Sequence, residues 1–170
     1  MNLHDYDIII INSSAGKDSL ISLWKIYVMA LKQQYPIQNI HVSHQDLGRM
    51  EWKGTKELVL KQAEFFGFKC HYSKRKNKSG YEEDLLEYVE RRKMWPSNNC
   101  RWCTSDFKRG PGGTVVTKLA RVFKPTKVLY VFGFRADESP SRKKKSVLKI
   151  NKPLSTKTRT VVDYLPIHHY

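Results

Sequence analysis

The segment Asp7–Asn12 holds four consecutive isoleucines between polar residues. A short β-branched run of this kind predicts a strand buried on both faces. After Ser13-Ser14-Ala15-Gly16 the period changes. Leu20, Leu23, Trp24, Tyr27, Val28 and Leu31 recur at three- and four-residue spacing and predict a helix with these residues on one face. Asn39–His44 (NIHVSH) predicts a second strand, Lys53–Phe66 a helix with Val59, Ala63 and Phe66 on one side, and Phe68–Tyr72 a third strand. Ser79 with Glu82 three residues on has the pattern of a capping box, which predicts a helix from there to about Met94. Pro96–Gly113 reads as a loop or short irregular element, Thr114–Phe123 as a helix, Lys127–Phe132 (KVLYVF) as a strand, and Ala136–Asn151 as a polar, basic surface loop. No internal repeat or low-complexity tract interrupts this order.

Strands alternating with helices predict an α/β fold, a parallel sheet with helices on both faces. Ligands of such sheets bind beyond the carboxyl ends of the strands, at a topological switch point. The unusual residues of this chain fall there: Ser13–Ser19 after the first strand, Asp46-Leu47-Gly48 after the second, and Gly133–Arg142 after Lys127–Phe132.

Composition narrows the class. A chain of 170 residues suits one domain, and 40% hydrophobic with 12% aromatic residues argues against global disorder. No apolar run reaches the length of a membrane span, and the N-terminus has acids ahead of its apolar run and no basic region before it, unlike a signal peptide. Three cysteines are too few for a disulfide scaffold, so a reducing cytoplasm is the expected setting. The charge of +15 is uneven. Residues 1–85 carry 12 basic and 10 acidic residues, whereas residues 86–170 carry 19 and 6. The second half is suited to an anionic small molecule or to nucleic acid, or is a solvated basic surface.

Ser13-Ser14-Ala15-Gly16-Lys17-Asp18-Ser19 joins a buried strand to a helix. Small residues let the backbone approach a phosphate, helix N-terminal amides point at an anion, and Lys17 adds a positive charge. A Walker A loop is excluded, because Ile11 stands where its first glycine is needed and Asp18 follows the lysine where it has Ser or Thr. The stretch resembles the SxGKDS pyrophosphate loop of the adenine-nucleotide α-hydrolase (PP-loop) superfamily. Three further segments resemble the PAPS reductase family within it: Asp46-Leu47-Gly48 its Asp-Thr-Gly element, Trp102-Cys103-Thr104 with Lys108 and Pro111 its Cys-Thr…Lys…Pro segment, and Gly133-Phe134-Arg135-Ala136-Asp137-Glu138-Ser139 with Arg142 its GxRxxES…R segment. The resemblance runs from Ile8 to about Pro166 and implies that family's Rossmann-like fold. It also implies a nucleotide site of Ser13 to Ser19, Asp46, Gly48, Gly133, Arg135, Glu138, Ser139 and Arg142. Lys17, Lys108, Arg135 and Cys103 are then the expected catalytic residues.

Read without the family, Arg101, Lys108, Arg109, Arg135 and Arg142 lie in predicted loops near strand ends, where Arg gives bidentate contacts to phosphate or sulfate and Lys a point charge. The run Arg142–Lys145 reads equally well as a solvated charge run. Cys100 and Cys103 form CRWC, but neighbouring Cys70 and His71 point to opposite sides of a strand and cannot easily complete a four-ligand metal site. Thr104 stands where iron–sulfur relatives have a second cysteine, so no cluster and no metal site of this chain's own are expected. Cys103 reads as a pocket residue, Trp52, Trp95 and Trp102 as core by default, and nothing is read into His168-His169.

One departure matters. Thiol-dependent reductases of the family carry their nucleophilic cysteine in a C-terminal Glu-Cys-Gly-Leu-His segment, whereas this sequence ends Pro166-Ile167-His168-His169-Tyr170. The expectation is a nucleotide-binding domain without that segment, poor at thioredoxin-linked PAPS reduction. The resemblance implies an enzyme that acts on a sulfonucleotide (PAPS or APS) or cleaves ATP between its α- and β-phosphates, with Asp46 facing the nucleotide or a Mg²⁺ ion. ATP-dependent sulfur modification of DNA or RNA is the alternative, and a non-catalytic nucleotide- or nucleic-acid-binding module the next. No membrane partner is expected, and the oligomeric state is open, a homo-oligomer included.

Overall fold

The computed structural model describes residues 1–97 and 100–170. Six strands, β1 (Ile8–Asn12), β2 (Ile40–Asp46), β3 (Lys69–Lys74), β4 (Lys127–Val131), β5 (Leu148–Ile150) and β6 (Thr160–Tyr164), form one sheet in the order β3-β2-β1-β4-β6-β5. All neighbours are parallel except β5, which runs antiparallel to β6 at the edge. The chain builds outward from β1 to β2 to β3, then returns to lay β4 on the other side of β1. That reversal puts the switch point between β1 and β4.

The isoleucine run explains the layers. Side chains alternate along a strand, so Ile9 and Ile11 enter one core and Ile8 and Ile10 the other. The first core lies under α1 (Lys17–Gln33) and α2 (Thr55–Phe65), through Leu23, Ile26, Ala30, Val59 and Ala63. The second lies under α5 (Gly110–Phe123), through Val115, Val116 and Leu119. Burying each isoleucine is worth about 1.5–3 kcal/mol, which makes β1 a firm mount for the loop that follows it. A side cluster of Leu85, Tyr88, Val89, Trp102 and Phe107 joins α3 (Leu85–Arg92), α4 (Trp102–Thr104) and the π-helical turn Ser105–Arg109.

Several elements differ from the sequence expectation. The buried face of α1 is Ser19, Ser22, Leu23, Ile26 and Ala30, while Leu20, Trp24 and Leu31 face solvent. Small residues let this helix sit close over β1, so half of the expected stripe, Leu20, Trp24 and Leu31, turns outward while Leu23 and Tyr27 stay against the core. α3 starts at Leu85, capped by Asp84 in a reciprocal box with Glu87, because Ser79 is held in a turn by the Asn77 side chain. α5 begins at Gly110 rather than Thr114. Its glycines admit close packing, for a Cβ on Gly112 would stand 2.5 Å from the Tyr130 hydroxyl. The stretch read as a loop from Ala136 contains a 3-10 turn (Ala136–Glu138), α6 (Pro140–Lys143) and β5, and β6 follows it. Among the described residues no helix is long and apolar enough to cross a membrane.

Candidate functional site

At the end of β1 the Ser13 amide donates to the Ser43 carbonyl (3.0 Å), and the chain then turns away from the sheet. Ala15 takes a left-handed conformation (φ 63°), uncommon for a residue with a Cβ, and its amide donates to Ser13 Oγ (3.2 Å). Gly16 caps α1 with extended backbone and no side-chain capping bond. The amides of the first turn therefore lack side-chain partners, and the positive end of a 17-residue helix opens at the switch point. Ser19 turns its hydroxyl back onto the Gly16 carbonyl (2.7 Å) and receives a long bond from Ser13 Oγ (3.4 Å). Lys17 projects into solvent.

The loop is braced from below by residues that the motif did not reveal. Buried His44 bonds the Ser13 carbonyl through Nδ1 (2.9 Å) and Glu51 through Nε2 (3.1 Å). Burial depresses its basicity, but the bonds to Glu51 and to the Ser13 carbonyl, with the charges of Glu51 and Asp46, outweigh burial and raise its pKa. Gln62 Nε2 donates to the Ala15 carbonyl (3.1 Å) from α2. No local pattern flags these residues, since the contacts join β2 and α2 to a loop distant in sequence.

The facing wall follows β4. A Cβ on Gly133 would stand 2.9 Å from the Asp18 carbonyl oxygen and 3.2 Å from the Ser19 nitrogen, so this strand end packs directly on the first turn of α1. Arg135 Nε lies 3.3 Å from Asp18 Oδ1, an ion pair without hydrogen-bond alignment, and Nη1 lies 3.2 Å from Asp137 Oδ2. Glu138 accepts from the Arg135 amide (2.8 Å) and pairs with Arg142. Burial pushes the Glu138 pKa up, but those bonds and both guanidinium charges bring it below the usual carboxylate value. Ser139 caps α6 by accepting from the Arg142 amide (3.3 Å), and the Arg142 guanidinium lies over the Phe134 ring. Buried His168, into which the sequence reading put no meaning, supports this wall. Its carbonyl accepts from Ala136 N (2.8 Å), and its Nε2 bonds the Arg142 carbonyl (3.0 Å).

Asp46 ends β2 with Oδ1 accepting from the Gly48 amide (2.7 Å). Gly48 has φ 68°, and a Cβ there would stand 2.4 Å from Asp84 Cβ, so only glycine fits. Lys108 lies exposed on the π-helical turn with Arg109, and Cys103 and Cys100 are free thiols half-buried against the side cluster. Among the described hydrogen bonds and ion pairs, none joins Lys108 or Cys103 to the Ser13–Ser19 loop. Trp102 is core, as its default reading held, but Trp52 is 91% exposed and Trp95 59%. Among the described residues no three His, Cys, Asp or Glu side chains gather as a metal site.

The structure thus brings Ser13–Ser19, Gly133, Arg135, Glu138, Ser139 and Arg142 into one crevice, joined across the switch point by Asp18 and Arg135. A model of the phosphoadenosine phosphosulfate reductase domain matches residues 8–170. No curated protein matches the chain. Among solved structures, the FMN adenylyltransferase of Candida glabrata, crystallised in complex with FMN and the ATP analogue AMPCPP, is similar with a TM-score of 0.51 at 15% identity. The match covers 96% of this chain and 45% of that one, so this chain spans less than half of that enzyme's length. The likeness is one of fold alone, a mostly parallel α/β sheet.

Proposed function

The chain belongs to the phosphoadenosine phosphosulfate reductase domain family, and from that premise we propose that it is an enzyme holding an adenine nucleotide in the crevice between β1 and β4. The observation behind this reading is the uncapped first turn of α1 opposite Arg135, two anion-attracting features joined by a single acidic side chain, Asp18.

The favoured reaction is cleavage of ATP between its α- and β-phosphates. An acceptor nucleophile attacks the α-phosphorus, the bond from that phosphorus to the α–β bridging oxygen breaks, and pyrophosphate departs with the electron pair. Backbone amides of Ser14, Gly16 and Lys17 hold the leaving pyrophosphate, while that of Ala15 bonds Ser13 Oγ. Lys17, Arg135 and Arg142 neutralise charge as it develops, the electrostatic role that dominates phosphoryl transfer. Magnesium, which binds through phosphates with one or two carboxylates, would come with the nucleotide, and Asp46 is the carboxylate on offer. The similar FMN adenylyltransferase was crystallised with an ATP analogue, which agrees with an ATP site.

A second reading, action on PAPS or APS, draws support from the family and from the second arginine, Arg142, beside the first. Cys103 is the candidate for a sulfur-handling step, read as loss of product with retained nucleotide binding in Cys103→Ser.

Calorimetric titration with AMPCPP, PAPS and inorganic pyrophosphate tests the site. Binding of AMPCPP or PAPS that weakens in Arg135→Ala supports it. Failure of both nucleotides to bind the folded protein overturns it.

A further inference from the structure

On the face of the sheet opposite α1 and α2, α5 and the 3-10 turn Lys152–Leu154 enclose an open cleft of about 370 Å³, lined by Arg109, Thr114, Lys118, Arg121 and Leu154. Thr114, Thr117, Lys118 and Arg121 follow i, i+3, i+4, i+7 spacing and share one side of α5. Arg109, Lys118 and Arg121 are exposed, and none has an ion-pair partner among the described residues. Lys152 and Lys157 stand exposed on the segment that forms the other wall.

The surrounding sequence is of one sign. Residues 107–162 contain 15 Lys and Arg against two acids, Asp137 and Glu138. Both acids belong to the nucleotide crevice, where they pair with Arg135 and Arg142. Asp106 and Asp163 flank this stretch, Asp106 bonded by Tyr88 and Ser105 and half-buried Asp163 by Asn151, and among the described ion pairs neither meets a cation of the cleft. The cleft shares no residue with the crevice, so its charge answers to a different ligand.

We infer that this cleft is a docking site for the sugar-phosphate backbone of a nucleic acid. Cations spread over two elements and left without counter-charges match a polyanion of regular phosphate spacing, whose binding is driven by counterion release. An anionic lipid surface fits less well, since the only apolar side chain among the lining residues named is Leu154, itself half-buried. A protein partner, even an acidic one, carries bases among its acids, and the cleft lining offers no carboxylate to pair with them and fix register. The contacts are to backbone, so they position the nucleic acid and carry no sequence preference. The inference stands apart from the nucleotide reading, and either can fail alone.

Fluorescence anisotropy with labelled 20-nucleotide single-stranded DNA, duplex DNA and RNA, at 50 and 200 mM salt, tests it. Three phosphate contacts to a duplex predict about a 40-fold loss of affinity over that range. The double change Lys118→Glu and Arg121→Glu, at exposed positions, is expected to keep the wild-type melting temperature, weaken binding at least about tenfold and lower the salt slope by about 2. Lys118→Ala with Arg121→Ala gives a milder form of the same result should charge reversal unfold the protein. Absence of binding to all three probes at 50 mM salt overturns the inference. So does unaltered binding in the folded double variants, or stronger cleft-dependent binding to phosphatidylserine vesicles or to an acidic peptide than to any nucleic acid.

Discussion

Gly133 sits against the backbone of Asp18 so closely that a Cβ would stand 2.9 Å from the Asp18 carbonyl oxygen. The end of β4 is thereby packed on the first turn of α1 through backbone contact rather than through flexible side chains. Gly133→Ala must push the two apart. The expected cost is about 1–3 kcal/mol, as for overpacking elsewhere, together with weaker nucleotide binding. A thermal melt and a calorimetric titration check both. A variant with unchanged stability and affinity means that the crevice is more compliant than this contact implies.

Gly16 behaves differently. Its φ is −71°, and a Cβ there would meet only Ser14 Oγ at 3.6 Å. Gly16→Val is therefore expected to fold, at a capping cost of about 1 kcal/mol, and to lose ATP affinity strongly, because the added side chain stands beside amides that a phosphate needs. Unaltered ATP affinity in a stable Gly16→Val protein would sink the phosphate loop.

The contrast between these glycines shows what the sequence could and could not reveal. Gly16 is legible because strand, small residues, lysine and helix are contiguous, and the four isoleucines mark β1 by local pattern alone. Gly133 reads as a backbone approach site, yet its partner, the first turn of α1, is a tertiary fact. The same holds for His44, Glu51 and Gln62, which brace the loop from β2 and α2. β5 escaped notice because all three of its residues are exposed at the edge of the sheet. β6 lies beyond a basic stretch whose polarity masks its short apolar pair, Val161 and Val162. Exposed Leu20, Trp24 and Leu31 on α1, beside buried Leu23, show the limit of periodicity, which finds a helix but does not fix its buried face to the residue.

Two buried histidines on β2 are expected to give stability opposite pH slopes. His41 is pushed down to about 4 by burial, with the His71 and Lys69 charges adding to the effect. A depressed base is neutral when folded, so its contribution is full above pH 6.5 and is lost as pH falls towards 4. The pKa of His44 is raised, so its contribution is full below pH 6.5 and is lost as pH rises through the folded-state value. Denaturant melts across pH 4–8 should show His44→Gln flattening the alkaline arm and His41→Phe flattening the acidic one. Profiles that keep both arms in both variants would remove these histidines as the cause.

Arg135 and the lysine cluster separate a specific pocket from a diffuse basic surface. Arg135 is 29% exposed and already holds a carboxylate, Asp18, where a phosphate is expected. A bidentate contact to phosphate in such a confined site is worth about 1.5–3 kcal/mol, so Arg135→Ala should weaken ATP binding by at least about tenfold. Lys143, Lys144 and Lys145 are exposed, and salt screens such charges over roughly 8 Å. Changing all three to Ala should leave ATP affinity within a few-fold. For nucleic acid the ranking should reverse, because each lysine adds to the salt slope, whereas Arg135 is occupied within the crevice. Titration of both variants with ATP and with a short DNA or RNA at two salt concentrations reads the four affinities. If the lysines dominate ATP binding while Arg135 is silent, the nucleotide does not sit between β1 and β4, and the protein is a basic binding module instead.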